Sequence, residues 1–436
     1  MYKIFLFSLK IIGVYMSLWC YLLEHNRYAN LLGVFVILFL SWLFSANRKR
    51  LNKSLAAKAF GLQVIFGILL LKVPFVESKF IEPVSAGVRA LFNFAHQGAQ
   101  FLFGNLITIN FDSWGSVFAF HTLPIIVFFA ALTSILFHYG VIQLVVLFFN
   151  KLIRPFLGTT GPETLCATAN CFLGQTEAPL LVKDYLKRMS KSEIFVVMVS
   201  GMATVSGSIM AVYYACGVPM KHMLTAGMMA IPGSILIAKM LLPETSEKTS
   251  GADVSFEREK ANIFEVIFQG TSAGVSLAVN VGASLLVFIS LLPLVDVLVA
   301  SIGTLLNYPL SVLGLVLPVL SLKYLFGWLF APFAYLLGFT GSELLQAAQV
   351  LGTKVTINEF VAFNQMLGMQ FSERGVALLT YAVCGFSNFS CIGIQVGGIG
   401  ALVPEKRKWL TELGLRAVLA SSFVNLLSAF IIGLLI

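Results

Sequence analysis

Charge is what this chain has least of: acidic and basic residues make up 11% of its 436 positions, against roughly a quarter in a soluble globular chain. That scarcity excludes an ordinary water-soluble domain of this length. Metal and redox motifs are missing as well. The six cysteines (Cys20, Cys166, Cys171, Cys216, Cys384 and Cys391) form no CxxC pair and have no histidine nearby to complete a metal site. His25, His96, His121, His138 and His222 are equally scattered, and no HExxH, Walker loop, GxSxG or strand-led GxGxxG occurs. Without a catalytic constellation, the chain is not read as an enzyme.

Apolar side chains fill the space instead, at 58% of residues, with aromatics at 13%, chiefly 39 Phe. Runs approaching the ~20 residues needed to cross hydrocarbon recur at about 5–24, 30–46, 57–74, 116–138, 192–216, 221–242, 277–300 and 411–436. The expectation is an all-α polytopic membrane protein. The run at 5–24 follows Lys3 and could be a signal peptide, but no small-x-small site succeeds it, so it is read as a retained helix. The net charge of +9 sits in clusters between apolar runs, the pattern of cytoplasmic loops and not of a nucleic-acid surface. Those clusters are Arg48, Lys49, Arg50, Lys53 and Lys58, then Lys183, Lys187, Arg188 and Lys191, then Lys406, Arg407 and Lys408. They put the N-terminus in the cytoplasm and the C-terminus outside. The stretch 243–262 is the only long polar linker and divides the membrane region into halves, while 76–104 and 140–157 mix polar and apolar residues and read as interfacial helices.

Only 28 residues, 155 to 182, separate Arg154 from Lys183. Two crossings need about 40, and one crossing would leave a basic cluster outside. A re-entrant helical hairpin satisfies both constraints, and Gly158, Gly161, Pro162, Gly174 and Pro179 interrupt the stretch where it would turn. The pattern recurs at a shift of 180, where Gly158, Thr160, Gly161, Glu163, Leu165 and Ala167 meet Gly338, Thr340, Gly341, Glu343, Leu345 and Ala347. Each copy carries a second acid, Glu177 14 positions after Glu163 and Glu359 16 positions after Glu343. Paired, interrupted segments in two halves point to a transporter's midplane site.

A carboxylate at the bilayer centre costs roughly 2.5 to 3.5 kcal/mol on insertion scales, so it faces protein or a wet cavity. Glu177, beside Gln175 and Thr176, and Glu359, beside Asn358, are read as solute-binding. Glu163 and Glu343 each follow a Thr-Gly-x pattern and are read as helix-start residues. In GFSNFSCIGIQVGGIGALVP, Asn388, Ser390 and Gln395 lie among glycines that weaken a helix, which suggests a broken helix beside a cavity. Its first-half counterpart, GMATVSGSIMAVY, holds Thr204, Ser206 and Ser208. Ser206 and Ser208 read as packing residues, and Thr204 stays open between packing and binding.

Taken in order, ETLCATANCFLGQTEAPLLV, GMATVSGSIMA, NEFVAF and CGFSNFSCIGIQVGGIGALVPEKR make the chain resemble the concentrative nucleoside transporters from about residue 30 to the end. The resemblance implies a bacterial inner-membrane homotrimer that imports nucleosides with sodium by elevator-type alternating access. It implies an inverted repeat with two re-entrant hairpins, at about 158–187 and 330–355, and two broken helices. Scaffold helices would occupy 30–157, 263–329 and 409–436, and the transport region 158–242 and 330–408, leaving 1–29 as an extra N-terminal segment. Carried over by motif, Gln175, Thr176 and Glu177 would meet the base, with Ile209 and Phe386 closing around it. Glu359 and Asn388 would meet the ribose, and Asn170, the Leu173 carbonyl and Thr204 would hold sodium. Cys391 stands where the family carries a serine and weakens one sugar contact. The implied partners are a nucleoside, sodium, membrane lipid and further copies of the chain, with no organic cofactor. Proton coupling, used by some relatives, is the alternative. A passive channel would not accumulate solute, and an enzyme on nucleotide-linked lipids would need clustered Asp or His, which the sequence lacks.

Overall fold

The computed structural model describes residues 20–107, 118–121, 123–245, 262–312 and 320–436, and every regular element among them is helical. The run at 5–24 and the linker at 243–262 fall mostly outside these residues. The chain opens with α1 (Arg27–Leu43), α2 (Lys53–Lys72), α3 (Glu82–Phe103), α4 (Leu123–His138) and α5 (Val141–Leu157). Asn52 starts α2 by accepting the Leu55 amide at 3.0 Å, a short polar side chain filling one of the donors a helix start leaves free. Between α4 and α5 the path bends by 69°. Along α5 the buried residues Ile142, Val146, Asn150, Ile153 and Leu157 share one face, and the opposite face is open, which is how an amphipathic helix seats on a neighbour.

Next come α6 (Gly161–Ala169), a turn, a tight arm Ala178–Val182 and the short helix Lys183–Leu186. After these run α7 (Lys191–Ala203), α8 (Gly207–Ala215) and α9 (Met220–Leu241). The second half holds α10 (Ile263–Val312), α11 (Leu322–Leu336), α12 (Gly341–Thr356), α13 (Glu359–Leu367), α14 (Glu373–Val383), α15 (Ser390–Leu402) and α16 (Arg407–Leu435). α7 and α8 are separated by extended residues at Thr204 and Ser206, and α14 and α15 by 384–389, so each would-be span is broken in the middle. Among the described residues six helical stretches are long and apolar enough to cross a membrane, including Lys53–Lys72, Met220–Leu241 and Pro404–Leu435.

Within the expected second hairpin at 330–355 the chain turns by 113° between Tyr324–Leu336 and Gly341–Thr356, through Gly338 and Gly341 with φ of +91° and +58°. A second turn follows at Ile357 and Asn358, between α12 and α13, and Glu359 stands at this tip. The run expected at 277–300 is part of one helix of 50 residues, about 75 Å long, whose apolar stretch already begins at Ile263.

α16 is the hub of the core and packs on α1, α7, α9, α14 and α15. Small residues let the backbones close: a Cβ at Gly33 would stand 2.8 Å from the Phe430 ring, and one at Gly433 would stand 2.5 Å from Asn30. Gln63 of α2 donates to the Ser428 hydroxyl at 3.0 Å across a buried contact. Such contacts hold helices together where lipid offers no hydrophobic drive between them.

Candidate functional site

Two hairpin tips and two helix breaks meet in one place. In the first tip, the Glu177 amide donates to the Gly174 carbonyl at 3.0 Å and the Gly174 amide donates back to Glu177 Oε2 at 3.1 Å, so the acid closes its own turn. Glu177 and Thr176 are exposed, whereas Gln175 is buried and donates to Cys391 Sγ at 3.3 Å. Thr176 lies against Gly398, where a Cβ would be 2.8 Å from its methyl carbon. The tip is pinned to the first break by the Gly207 amide, which donates to the Phe172 carbonyl at 3.0 Å.

The second tip presents Glu359, only 6% exposed. Its Oε1 accepts the Tyr213 hydroxyl at 2.8 Å and its Oε2 accepts Asn388 Nδ2 at 3.1 Å. Asn388 is itself fixed, because its Oδ1 accepts the Ser390 hydroxyl at 2.6 Å and the Cys391 amide at 3.1 Å. A continuous polar chain therefore runs Gln175, Cys391, Asn388, Glu359, Tyr213. Ile209 is buried one turn before Tyr213 on α8, and Phe386, half-buried in the second break, donates its amide to the Thr204 carbonyl at 3.3 Å. The polar chain thus joins four of the eight residues expected to bind solute, Gln175, Cys391, Asn388 and Glu359; Ile209 lies on the helix that carries Tyr213, Phe386 lies in the second break, and Glu177 and Thr176 are exposed at the first tip.

Asn170 and Thr204 both bond to Ser200 in the last turn of α7, and Leu173 follows Asn170 in the turn after α6. Asn170 Nδ2 donates to the Ser200 hydroxyl at 3.0 Å, but its fully buried Oδ1 has no hydrogen-bond partner. An orphaned buried amide oxygen is costly unless something positive meets it. Thr204 gives its one proton to the Ser200 carbonyl at 2.9 Å, which leaves its oxygen lone pairs free. Hard oxygen donors at a helix C-terminus, where unpaired carbonyls carry partial negative charge, suit a small hard cation. No group of three His, Cys, Asp or Glu side chains that could hold a metal occurs among the described residues.

The remaining sequence candidates have structural work. Glu163 accepts the Thr160 amide at 2.9 Å as a helix cap, and its other oxygen meets Lys239 at 2.8 Å. Glu343 does not cap its own helix, and it accepts the Ser372 amide at 2.9 Å, at the start of α14. Ser206 accepts the Ile209 amide at 3.4 Å at the start of α8 and lies 3.0 Å from the Ser208 hydroxyl. Gln395 donates to the Met198 carbonyl at 3.0 Å and crowds Gly201, where a Cβ would meet it at 2.8 Å. Sequence reasoning missed Tyr213, Lys354 and Asn425. Lys354 is the one basic residue between Lys323 and Arg374, and Asn425 lies in the apolar C-terminal run, a signal that applies to lysine and asparagine as it does to acids.

Known proteins match this chain over nearly its whole length. Three family models match in succession: Na+ dependent nucleoside transporter N-terminus over residues 32–106, nucleoside recognition Gate over 119–220, and Na+ dependent nucleoside transporter C-terminus over 222–433. The nucleoside permease NupC of Helicobacter pylori is 37% identical over 417 residues, covering 93% of this chain and 97% of that protein. An uncharacterized transporter of Haemophilus influenzae is 37% identical over 94% of this chain and 97% of its own length. A solved structure of CNTnw in an inward-facing substrate-bound state superposes with a TM-score of 0.86 at 36% identity, covering 93% of this chain and 97% of the other. With matches spanning nearly the whole chain in both sequence and architecture, the protein belongs to the family of Na+-dependent nucleoside transporters.

Proposed function

We propose that this protein imports nucleosides by symport with sodium, and that the polar chain from Gln175 to Tyr213 is where the nucleoside binds. The observation that carries the reading is Glu359: a carboxylate withdrawn from water, held by Tyr213 and Asn388, with a second lone pair on each oxygen left to accept a hydroxyl. A vicinal diol offers two donors at that spacing, and a carboxylate selects it over a deoxygenated sugar. Glu359 and Asn388 take the ribose. Gln175, whose buried Oε1 has no partner, takes the base with Thr176 and Glu177, and Ile209 and Phe386 supply the apolar walls. Cys391 stands between the two sets as the acceptor that orients Gln175.

Sodium is held by Asn170, the Leu173 carbonyl and Thr204. The orphaned Asn170 oxygen favours sodium over a proton, because an amide oxygen binds a hard cation and does not titrate near neutral pH. Sodium there ties the first hairpin to the end of α7 and so couples ion binding to the shape of the nucleoside site. The matching order of α4–α9 and α10–α16 is read as an inverted repeat, with 158–242 and 330–408 moving as the transport region against scaffold helices of a homotrimer in a bacterial inner membrane. α5, bent 69° from α4, lies in the membrane interface.

The test is uptake of labelled uridine and adenosine into proteoliposomes under an imposed inward sodium gradient. Accumulation above the external concentration is expected with sodium and not with a proton gradient alone. Uptake that only equilibrates would mean a channel, and no uptake under either gradient would defeat the reading.

A further inference from the structure

Lys354 lies in the last turn of α12 and is 2% exposed, a depth at which an unpaired ammonium is costly. Its Nζ donates to the Ala382 carbonyl at 3.1 Å and to Asn425 Oδ1 at 2.7 Å. Ala382 is the penultimate residue of α14, so the ammonium stands at the C-terminal end of the second broken helix, where carbonyls are left without intrahelical donors. The carboxylate of Glu359 lies five positions further along the chain.

Asn425, on α16, is saturated by the same arrangement. Its Oδ1 accepts from Lys354 and, at 3.1 Å, from the Ser387 hydroxyl. Its Nδ2 donates to the Ala203 carbonyl at 2.8 Å and the Cys384 carbonyl at 3.1 Å, the ends of both broken helices. The first half holds the same parts with one difference. There Asn170, closing the first arm of its hairpin, faces the end of α7 with an oxygen that nothing meets. At one break the hairpin arm brings an unfilled acceptor, and at the other it brings a cation.

We infer that Lys354 is a tethered cation doing in the second half what sodium does in the first: it neutralises the open end of α14 and fastens the second hairpin to it, which pre-organises Glu359 for ribose. The inference rests on the sodium-symport reading above. Lys354 touches no substrate in this scheme and acts as a positioning residue.

The test is nucleoside binding to the purified protein at saturating sodium, with and without added ethylammonium. Lys354→Ala is expected to weaken binding on the order of tenfold, and ethylammonium, which fits the space the side chain leaves, to restore it, while bulky tetraethylammonium does not. Wild-type affinity in Lys354→Ala, or a loss that ethylammonium leaves untouched, would overturn the inference. Should that variant not survive purification, Lys354→Met fills the same volume without charge. It is expected to lose the same affinity and to ignore ethylammonium, and full affinity there is equally fatal. The unaltered protein separates the two readings: sodium-dependent binding by it alongside full nucleoside affinity in Lys354→Met sinks only the tethered cation, whereas its failure to bind nucleoside sinks both.

Discussion

Changing Glu359 to glutamine replaces one oxygen by an NH2 group and should remove nucleoside binding while sparing the fold. The reason lies in which neighbours can turn. Asn388 cannot reverse its amide, because its Oδ1 already receives the Ser390 hydroxyl and the Cys391 amide. The new amide must therefore point its oxygen at Asn388 and its nitrogen at Tyr213, whose hydroxyl can rotate to accept. Both internal contacts survive as neutral hydrogen bonds, so the stability cost is about 1 kcal/mol. For the ribose the loss is larger: one hydroxyl meets a donor instead of an acceptor, and the other keeps a neutral bond in place of a charge-assisted one. Together these amount to roughly 3 kcal/mol, about a hundredfold in Kd. Equilibrium binding of labelled uridine to purified protein at saturating sodium, with thermal melting as the control for folding, measures both quantities. A 2′-deoxynucleoside should lose less than uridine does, since the two losses share one contact and are not additive. An unchanged Kd for uridine in Glu359→Gln, with melting intact, would remove this carboxylate from the sugar site.

Three further outcomes are expected. Cys391→Ser should leave binding unchanged or tighten it by up to about fivefold in the same assay, because a hydroxyl accepts from Gln175 better than the thiol that now does so at 3.3 Å and can also donate; a large loss would give the thiol a role of its own. Asn170→Leu should raise the sodium concentration for half-maximal binding by about tenfold or more, with nucleoside affinity recovering at high sodium; an unaltered sodium dependence would move the ion elsewhere. Gly385→Ala should destabilise the protein by about 1 to 3 kcal/mol in thermal melting, because its Cβ would stand 2.5 Å from Asn425 Oδ1 and 2.8 Å from the Ala203 carbonyl; an unchanged melting temperature would mean that the two breaks are not held as closely as they stand here.

What the sequence made legible follows from where its punctuation falls. The first hairpin could be read because Gly161, Pro162, Gly174 and Pro179 mark its start and turn, and the two breaks because glycine and hydroxyl residues interrupt apolar runs. The turn between α12 and α13 was silent because Thr356–Ile357–Asn358 carries neither glycine nor proline, and Asn358 works there only as a cap that accepts the Val361 amide at 2.9 Å. The glycine signal lies one element earlier, at the corner between α11 and α12. Residues whose role depends on a partner far along the chain were silent: Tyr213 reaches Glu359 across 146 positions and Asn425 reaches Ala203 across 222, distances over which no periodicity carries information. Lys354 differs from these, since the one basic residue between Lys323 and Arg374 in a chain that spans a membrane signals its importance before any fold is known. What it faces was the part that could not be read. Only once Ala382 and Asn425 stand beside it does a buried lysine four residues ahead of an Asn-Glu pair become the counterpart of an empty oxygen in the other half.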